Sequence, residues 1–358
     1  MRRSSFLFMR KKILYCLLMF AILASAVTNQ SVLYAEAATA KVTGQTVYVG
    51  GTPIGIKLKS EGLVVIGRND VLTENGLVNT IENSKLSKGD MIVEVEGNPV
   101  RTAQEFTELV NRAEYKGKEL KMTVMRGKKK MEATIKPALD MVTKEYRVGL
   151  WVKEDTLGIG TLTYVESESL RFGGLGHSVI DPDTKEIVPV ASGEAYECTI
   201  TGVVKGMRGK AGELKGVFVN SSNPIGTIDV NNTFGIFGKM NDIVSNELYP
   251  EPVEVLTNHA VKPGKATVVT TVYGDQPKEY QIEIVKVNNQ QRAGDKSMVI
   301  RITDPALLEA TGGIVQGMSG SPILQDGKLC GAVTHVFIND PTRGYAVFAE
   351  WMLNNQKG

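Results

Sequence analysis

The residues best suited to chemistry stand together in Gln316-Gly317-Met318-Ser319-Gly320-Ser321-Pro322-Ile323-Leu324. A serine hydroxyl is a poor nucleophile until a base removes its proton. Attack on a carbonyl develops negative charge on oxygen. Backbone N–H groups of a tight turn, here those of Gly317 and Ser319, can be aimed at that oxygen. Glycines at 317 and 320 permit positive φ and close approach of a substrate. An Asp326-Gly327 turn and a second apolar run, Leu329 to Val336, follow. The chemistry this arrangement suits is acyl transfer ending in hydrolysis.

Such a serine needs an imidazole, and the chain has only three: His177, His259 and His335. His177 lies in Phe172-Gly173-Gly174-Leu175-Gly176-His177-Ser178-Val179, where dense glycine exposes the ring and leaves room for a substrate. His259, in Leu256-Thr257-Asn258-His259-Ala260, has no such setting. His335 lies on the strand after the nucleophile, where a structural or substrate-lining role is expected. His177 is therefore the expected base. A third residue would hold its tautomer. Asp304 ends a strand just before the nucleophile turn, and Asp229 is a second candidate between His177 and Ser319. Asp181 and Asp183 follow His177 closely and read as turn formers. No group of cysteine, histidine and carboxylate has metal-ligand spacing, so no metal and no cofactor is expected.

Elements must position these groups. With 358 residues the chain is comfortable for two domains, and 42% hydrophobic content allows each a core. There are 41 basic and 39 acidic residues, a net charge of +2, so no global field draws nucleic acid. Frequent glycine and β-branched runs predict a β-rich protein. Arg2, Arg3, Arg10, Lys11 and Lys12 precede an apolar stretch from Ile13 to Val27, the layout of an export signal or membrane anchor. Small-residue cleavage candidates lie at Ala24-Ser25-Ala26 and Ala35-Glu36-Ala37, and both a cleaved signal and a retained anchor stay open. Cys16 lies inside that segment. Cys198 and Cys330 are expected as two isolated thiols, although pairing in an oxidising compartment stays open.

Residues 1–40 thus read as export segment and tether, 41–137 as one domain, 138–145 as a linker and 146–351 as a second domain. The first domain has one convincing helix. Thr102 and Glu105 form a capping box, and Phe106, Leu109, Val110 and Ala113 follow at helical spacing. Leu120–Met125 and Met131–Ile135 read as strands joined by a basic turn whose Lys128–Lys130 run is expected to be solvated. The second domain is a succession of short β runs, among them Gly158–Tyr164, Glu197–Val204, Ala266–Val272 and Met298–Ile302, the habit of a barrel or sandwich.

Three resemblances follow from these residues. Gly89-Asp90-Met91-Ile92-Val93-Glu94-Val95-Glu96-Gly97 with its capped helix resembles a PDZ domain. In that family a glycine-containing loop presents N–H groups to a peptide carboxylate, and the matching positions here are Gly55 and Ile56, within Pro53-Ile54-Gly55-Ile56. The Ser319 turn with its strands resembles the trypsin-like serine proteases. Together with Gly158-Ile159-Gly160-Thr161-Leu162-Thr163, Gly174-Leu175-Gly176-His177, Asn232-Thr233-Phe234-Gly235-Ile236-Phe237-Gly238 and Thr334-His335-Val336-Phe337, it resembles the sporulation stage IV B peptidases.

The family resemblance implies a mainly β fold, a PDZ domain followed by a trypsin-like double β-barrel. It implies an exported serine endopeptidase acting on peptide or protein substrates, with catalytic His177, Asp304 and Ser319 and an oxyanion hole at Gly317 and Ser319. It also implies self-cleavage and cleavage of a membrane-associated regulator between forespore and mother-cell membranes, which triggers intramembrane processing of a sigma factor. An envelope quality-control protease and a catalytically silent PDZ adaptor are the competing expectations.

Overall fold

A computed structural model describes residues 44–357 apart from 245 and 291. The expected export segment, with Cys16, lies outside those residues. In chain order, β1 (Thr46–Val49) and β2 (Pro53–Arg68) lead to a hairpin of β3 (Val71–Thr73) and β4 (Gly76–Val78). Next come β5 (Met91–Val95), β6 (Asn98–Pro99), α1 (Ala103–Val110), β7 (Leu120–Arg126), β8 (Lys129–Ile135), β9 (Ala138–Leu139) and β10 (Tyr146–Arg147). They are followed by β11 (Leu150–Glu166), β12 (Arg171–Gly174), β13 (Ser192–Val204), β14 (Glu213–Phe218), β15 (Gly226–Asn232), β16 (Gly235–Met240) and β17 (Val253–Glu254). The chain ends with β18 (Gly264–Thr270), β19 (Lys278–Val287), β20 (Met298–Ile302), α2 (Pro305–Thr311), β21 (Pro322–Gln325), β22 (Lys328–Phe337), β23 (Asp340–Phe348) and α3 (Ala349–Asn354).

Two barrels and one inserted domain result. The first barrel is the antiparallel ring β2–β11–β12–β16–β15–β13, which closes back on β2. The second is the closed barrel β18–β19–β20–β23–β22–β21. The PDZ unit is packed from Leu63, Val65, Ile92, Phe106, Leu120 and Val148, among others. Its helix forms as its residues dictate. Thr102 caps the N-terminus, Glu105 returns the bond, and Phe106, Leu109 and Val110 are buried.

The division of the chain differs from the expected 41–137 and 146–351. β1 pairs with β11 and β17, and Pro53–Lys59 of β2 is a stave of the first barrel. β2 does two jobs in succession. Ile54, Ile56 and Leu58 point into the barrel core, whereas Leu63 and Val65 point into the PDZ core. The buried positions change from even to odd numbers. Strand side chains alternate faces, so this change requires extra residues between the two stretches. The pairing with β11 shows them: Lys59 opposes Asp155 but Val64 opposes Lys153. The PDZ unit is therefore an insertion carried on a two-stranded ribbon of β2 and β11. The expected linker at 138–145 is part of a hairpin in which β9 pairs with β10. A cleft of 640 Å³, lined by Met91, Met125, Lys128, Thr184, Ile187 and Pro189 among others, separates the insertion from the first barrel.

A fragment starting at Ala138 lacks β1 and the Pro53–Lys59 stave, so its first barrel cannot close. Circular dichroism should show no cooperative thermal transition for it. Replacing residues 61–153 by an Asn-Gly turn leaves Ser60 and Glu154 as the end of a hairpin and should preserve cooperative melting. Cooperative folding of the Ala138 fragment would refute the insertion.

Candidate functional site

The turn at Ser319 is shaped by where its carbonyls go. A trans peptide points its C=O and the following N–H in opposite directions. The Gln316 carbonyl accepts the Leu214 N–H at 2.8 Å, and the Met318 carbonyl accepts the Ser321 N–H at 3.0 Å. The N–H groups of Gly317 and Ser319 are thereby turned the other way, and neither has an acceptor among the described residues. Gly317 adopts φ +97°. Gly320 is a glycine for want of room: a Cβ there would fall 2.2 Å from the Thr161 carbonyl oxygen and 2.4 Å from the Leu175 nitrogen. That close approach brings the His177 turn against the Ser319 turn.

Ser319 is half-buried, and its hydroxyl donates to the Thr334 carbonyl oxygen at 2.9 Å. His177 is also half-buried, and its Nδ1 lies 2.8 Å from the Ser178 carbonyl oxygen. A carbonyl can only accept, so Nδ1 carries the proton in the neutral ring and Nε2 keeps its lone pair. The His177 and His335 rings stand with centroids 5.0 Å apart. Gly320 N–H donates to the Val333 carbonyl, and a Cβ on Gly176 would meet the Thr334 methyl group at 3.0 Å. Both candidate residues thus abut the same stretch of β22, although no hydrogen bond joins them among the described residues.

Burial pushes the His177 imidazole below its ordinary 6.5. The Ser178 carbonyl opposes this shift, the neighbouring His335 adds to it, and Asp295 opposes it. Burial likewise lowers His335, against the charge of Asp295.

The other expected residues lie elsewhere. Asp304 is not brought to His177. It is the N-cap of α2, where Oδ1 accepts the N–H groups of Ala306 and Leu307 at 2.9 and 3.2 Å, and Oδ2 accepts that of Gln281 at 3.2 Å. The Asp-Pro pair is itself a helix-start signal. Asp229 is exposed and ion-paired with Arg171 at 3.1 Å. Asp181 shapes its turn by accepting the Asp183 and Thr184 N–H groups. His259 is exposed on a separate turn. Cys198 and Cys330 are free and buried, with burial pushing the thiols up to about 11 and about 12.

Gly55 and Ile56 do not form a carboxylate loop. They sit within β2, paired on one side with Ile159 and Gly158 of β11 and on the other with Tyr196 and Ala195 of β13. Residue 55 must be glycine because a Cβ would fall 2.6 Å from the Phe218 ring. The groove beside the PDZ helix lies instead between α1 and the first residues of β11. It has a volume of 230 Å³ and is lined by Phe106, Thr107, Val110, Leu150 and Val152 among others. Gly149, at φ +62°, opens this strand, and the Glu154 carboxylate caps the helix by accepting the Ala103 N–H at 2.6 Å. Three participants escaped the reading of the sequence. Thr161 and Thr334 are ordinary strand threonines by pattern, and Asp295 lies in a polar loop with no motif.

Two family models match the chain. SpoIVB peptidase S55 covers residues 144–353, and a PDZ domain covers residues 54–136. Among solved structures, the PDZ domain of an SdrC-like protein from Listeria monocytogenes is 24% identical. That match covers 26% of this chain and 90% of that one, with a TM-score of 0.21. The Rv3671c protease in an inactive form is 15% identical, covers 55% of this chain and 81% of that one, and has a TM-score of 0.32. The Ser343Ala mutant of Rv3671c from M. tuberculosis H37Rv is also 15% identical, over 55% and 79%, with a TM-score of 0.29.

The lowered His177 value gives a direct expectation. In an NMR titration the ring should protonate with a midpoint below pH 6.5. Asp295→Asn removes a charge that favours the protonated ring and should move the midpoint further down. A midpoint above 6.5, or an upward move in the variant, would contradict the electrostatics described.

Proposed function

The chain belongs to the SpoIVB peptidase S55 family, and from that premise we propose a function centred on Ser319 as nucleophile and His177 as base. It is a serine endopeptidase with a PDZ domain, acting on peptide or protein substrates. In the proposed cycle the Ser319 hydroxyl turns from the Thr334 carbonyl, gives its proton to His177 Nε2 and attacks the scissile carbonyl. The Gly317 and Ser319 N–H groups receive the oxyanion. The imidazolium then protonates the leaving amine. Water, activated by the same ring, releases the acyl group. Holding the tautomer falls to the Ser178 carbonyl in this reading, and Asp304 has the structural task of capping α2.

The observation that carries this reading is that the Gly317 and Ser319 N–H groups have no acceptor among the described residues while the carbonyls flanking them are satisfied. A turn with two donors held open at a hydroxyl suits a developing oxyanion.

The biological setting is part of the proposal. The basic front and apolar stretch at the N-terminus support export or membrane attachment. Family membership supports action between forespore and mother-cell membranes, on itself and on a membrane-associated regulator, releasing an intramembrane protease to process a late sporulation sigma factor. The groove between α1 and β11, rather than Gly55 and Ile56, is the surface assigned to PDZ ligands, since a peptide strand can add beside Leu150–Lys153.

Ser319→Ala should lower peptide-bond hydrolysis by about 10⁴- to 10⁶-fold. Mass spectrometry of N-termini should show self-cleavage in the wild-type chain and none in the variant. Sigma-factor processing that persists in the variant would leave only the silent adaptor. Broad degradation of unfolded casein by the wild-type enzyme would replace the signalling role with quality control.

A further inference from the structure

One residue holds the Ser319 turn from behind. Thr161, in β11, is 2% exposed. Its hydroxyl donates to the Gly317 carbonyl oxygen at 2.8 Å, and its N–H donates to the Ser319 carbonyl oxygen at 3.0 Å. Its own carbonyl accepts the Leu175 N–H at 3.2 Å, two residues before His177. A single residue therefore touches both the turn of the candidate nucleophile and the turn of the candidate base.

The hydroxyl bond matters most. The 317–318 peptide lies between the two open N–H groups, so its plane sets their relative direction. Thr161 Oγ1 fixes the carbonyl end of that plane, and the Met318 N–H, donating to the Val315 carbonyl at 3.1 Å, fixes the other. Gly317 has no side chain to resist rotation. Without the hydroxyl, a half-buried carbonyl would lose its partner, a penalty that rotation of the peptide can relieve. Rotation would splay the two donors.

We propose that Thr161 is a positioning residue for peptide hydrolysis, its hydroxyl holding the 317–318 peptide so that the Gly317 and Ser319 N–H groups converge on one oxygen. This rests on the reading of Ser319 as nucleophile.

Three full-length variants test it. Thr161→Val keeps the shape and loses the hydroxyl. Thr161→Ser and Thr161→Ala both lose the methyl group and differ from each other only by the hydroxyl. The measurements are kcat and KM on a peptide substrate, affinity for a peptidyl boronate that mimics the tetrahedral intermediate, and thermal melting. Loss of a direct oxyanion donor costs about 10²- to 10³-fold in kcat, so displacement of donors through Thr161 should cost about 10- to 100-fold. That loss should appear in kcat for Val and Ala, with KM changed less than about twofold and boronate affinity falling in parallel. Ser should retain kcat within about threefold. Equal kcat for Ser and Ala would overturn the proposal even if the Val variant failed to fold. So would a loss in KM alone. Activity retained by Ser319→Ala would instead overturn the nucleophile assignment, whatever the Thr161 variants do.

Discussion

The pairing of β2 with β11 is the contact on which the rest of the architecture depends. It closes the first barrel, carries the PDZ insertion and delivers Thr161 to the Ser319 turn, all along one antiparallel ladder. A strand ladder can serve two cores only if its buried faces are assigned correctly to each. The change from Ile54, Ile56 and Leu58 to Leu63 and Val65 does this, with the extra residues of β2 absorbed opposite Lys153 and Asp155. A slip of one residue would turn one of the two apolar sets outward.

At the Ser319 turn the ruling constraint is satisfaction of buried polar groups. Leu214, Thr161 and Ser321 take the carbonyls of Gln316, Gly317, Met318 and Ser319. Thr163 takes that of Gly320 at 2.7 Å, and the Ser321 hydroxyl reaches Thr270 at 2.8 Å. Both barrels contribute, with Thr161 and Thr163 from the first and Thr270 from the second. The turn is thus held by its surroundings rather than by its own sequence, and glycine at 320 is the condition for letting the Leu175 backbone so close.

Much of this was legible in the residues alone. The capping box at Thr102 and Glu105 acts locally, so its helix starts where expected, although it ends at Val110 and leaves Ala113 outside it and exposed. The hairpin of β7 and β8 is local as well, and the glycines of the His177 and Ser319 turns stand out in the sequence even though the partners that hold the Ser319 turn are distant. What could not be read was long-range. Gly55 looks like a loop glycine, yet the reason for it is the Phe218 ring, more than 160 positions away in sequence. Lys59-Ser60-Glu61 interrupts the apolar pattern of Pro53–Arg68, but nothing local says that the two halves serve different cores, because the run stays extended throughout. Asp304 was read by its spacing to Ser319, whereas its neighbour Pro305 already announced a cap.

The ribbon of β2 and β11 also has mechanical character. Two hydrogen-bonded strands resist bending within their own plane and yield more readily across it, and the ladder is irregular between Trp151 and Val152 and again between Lys153 and Asp155. A bend across that plane would turn the inserted domain toward or away from the first barrel over the cleft between Met125 and Pro189. The ion pair of Lys153 with Asp181, at 2.8 Å, fastens the ribbon to the first barrel at that very bend. One strand, β11, runs from the inserted domain through that bend to Thr161 at the Ser319 turn, so the attitude of one domain and the fine geometry of the other share a single lever.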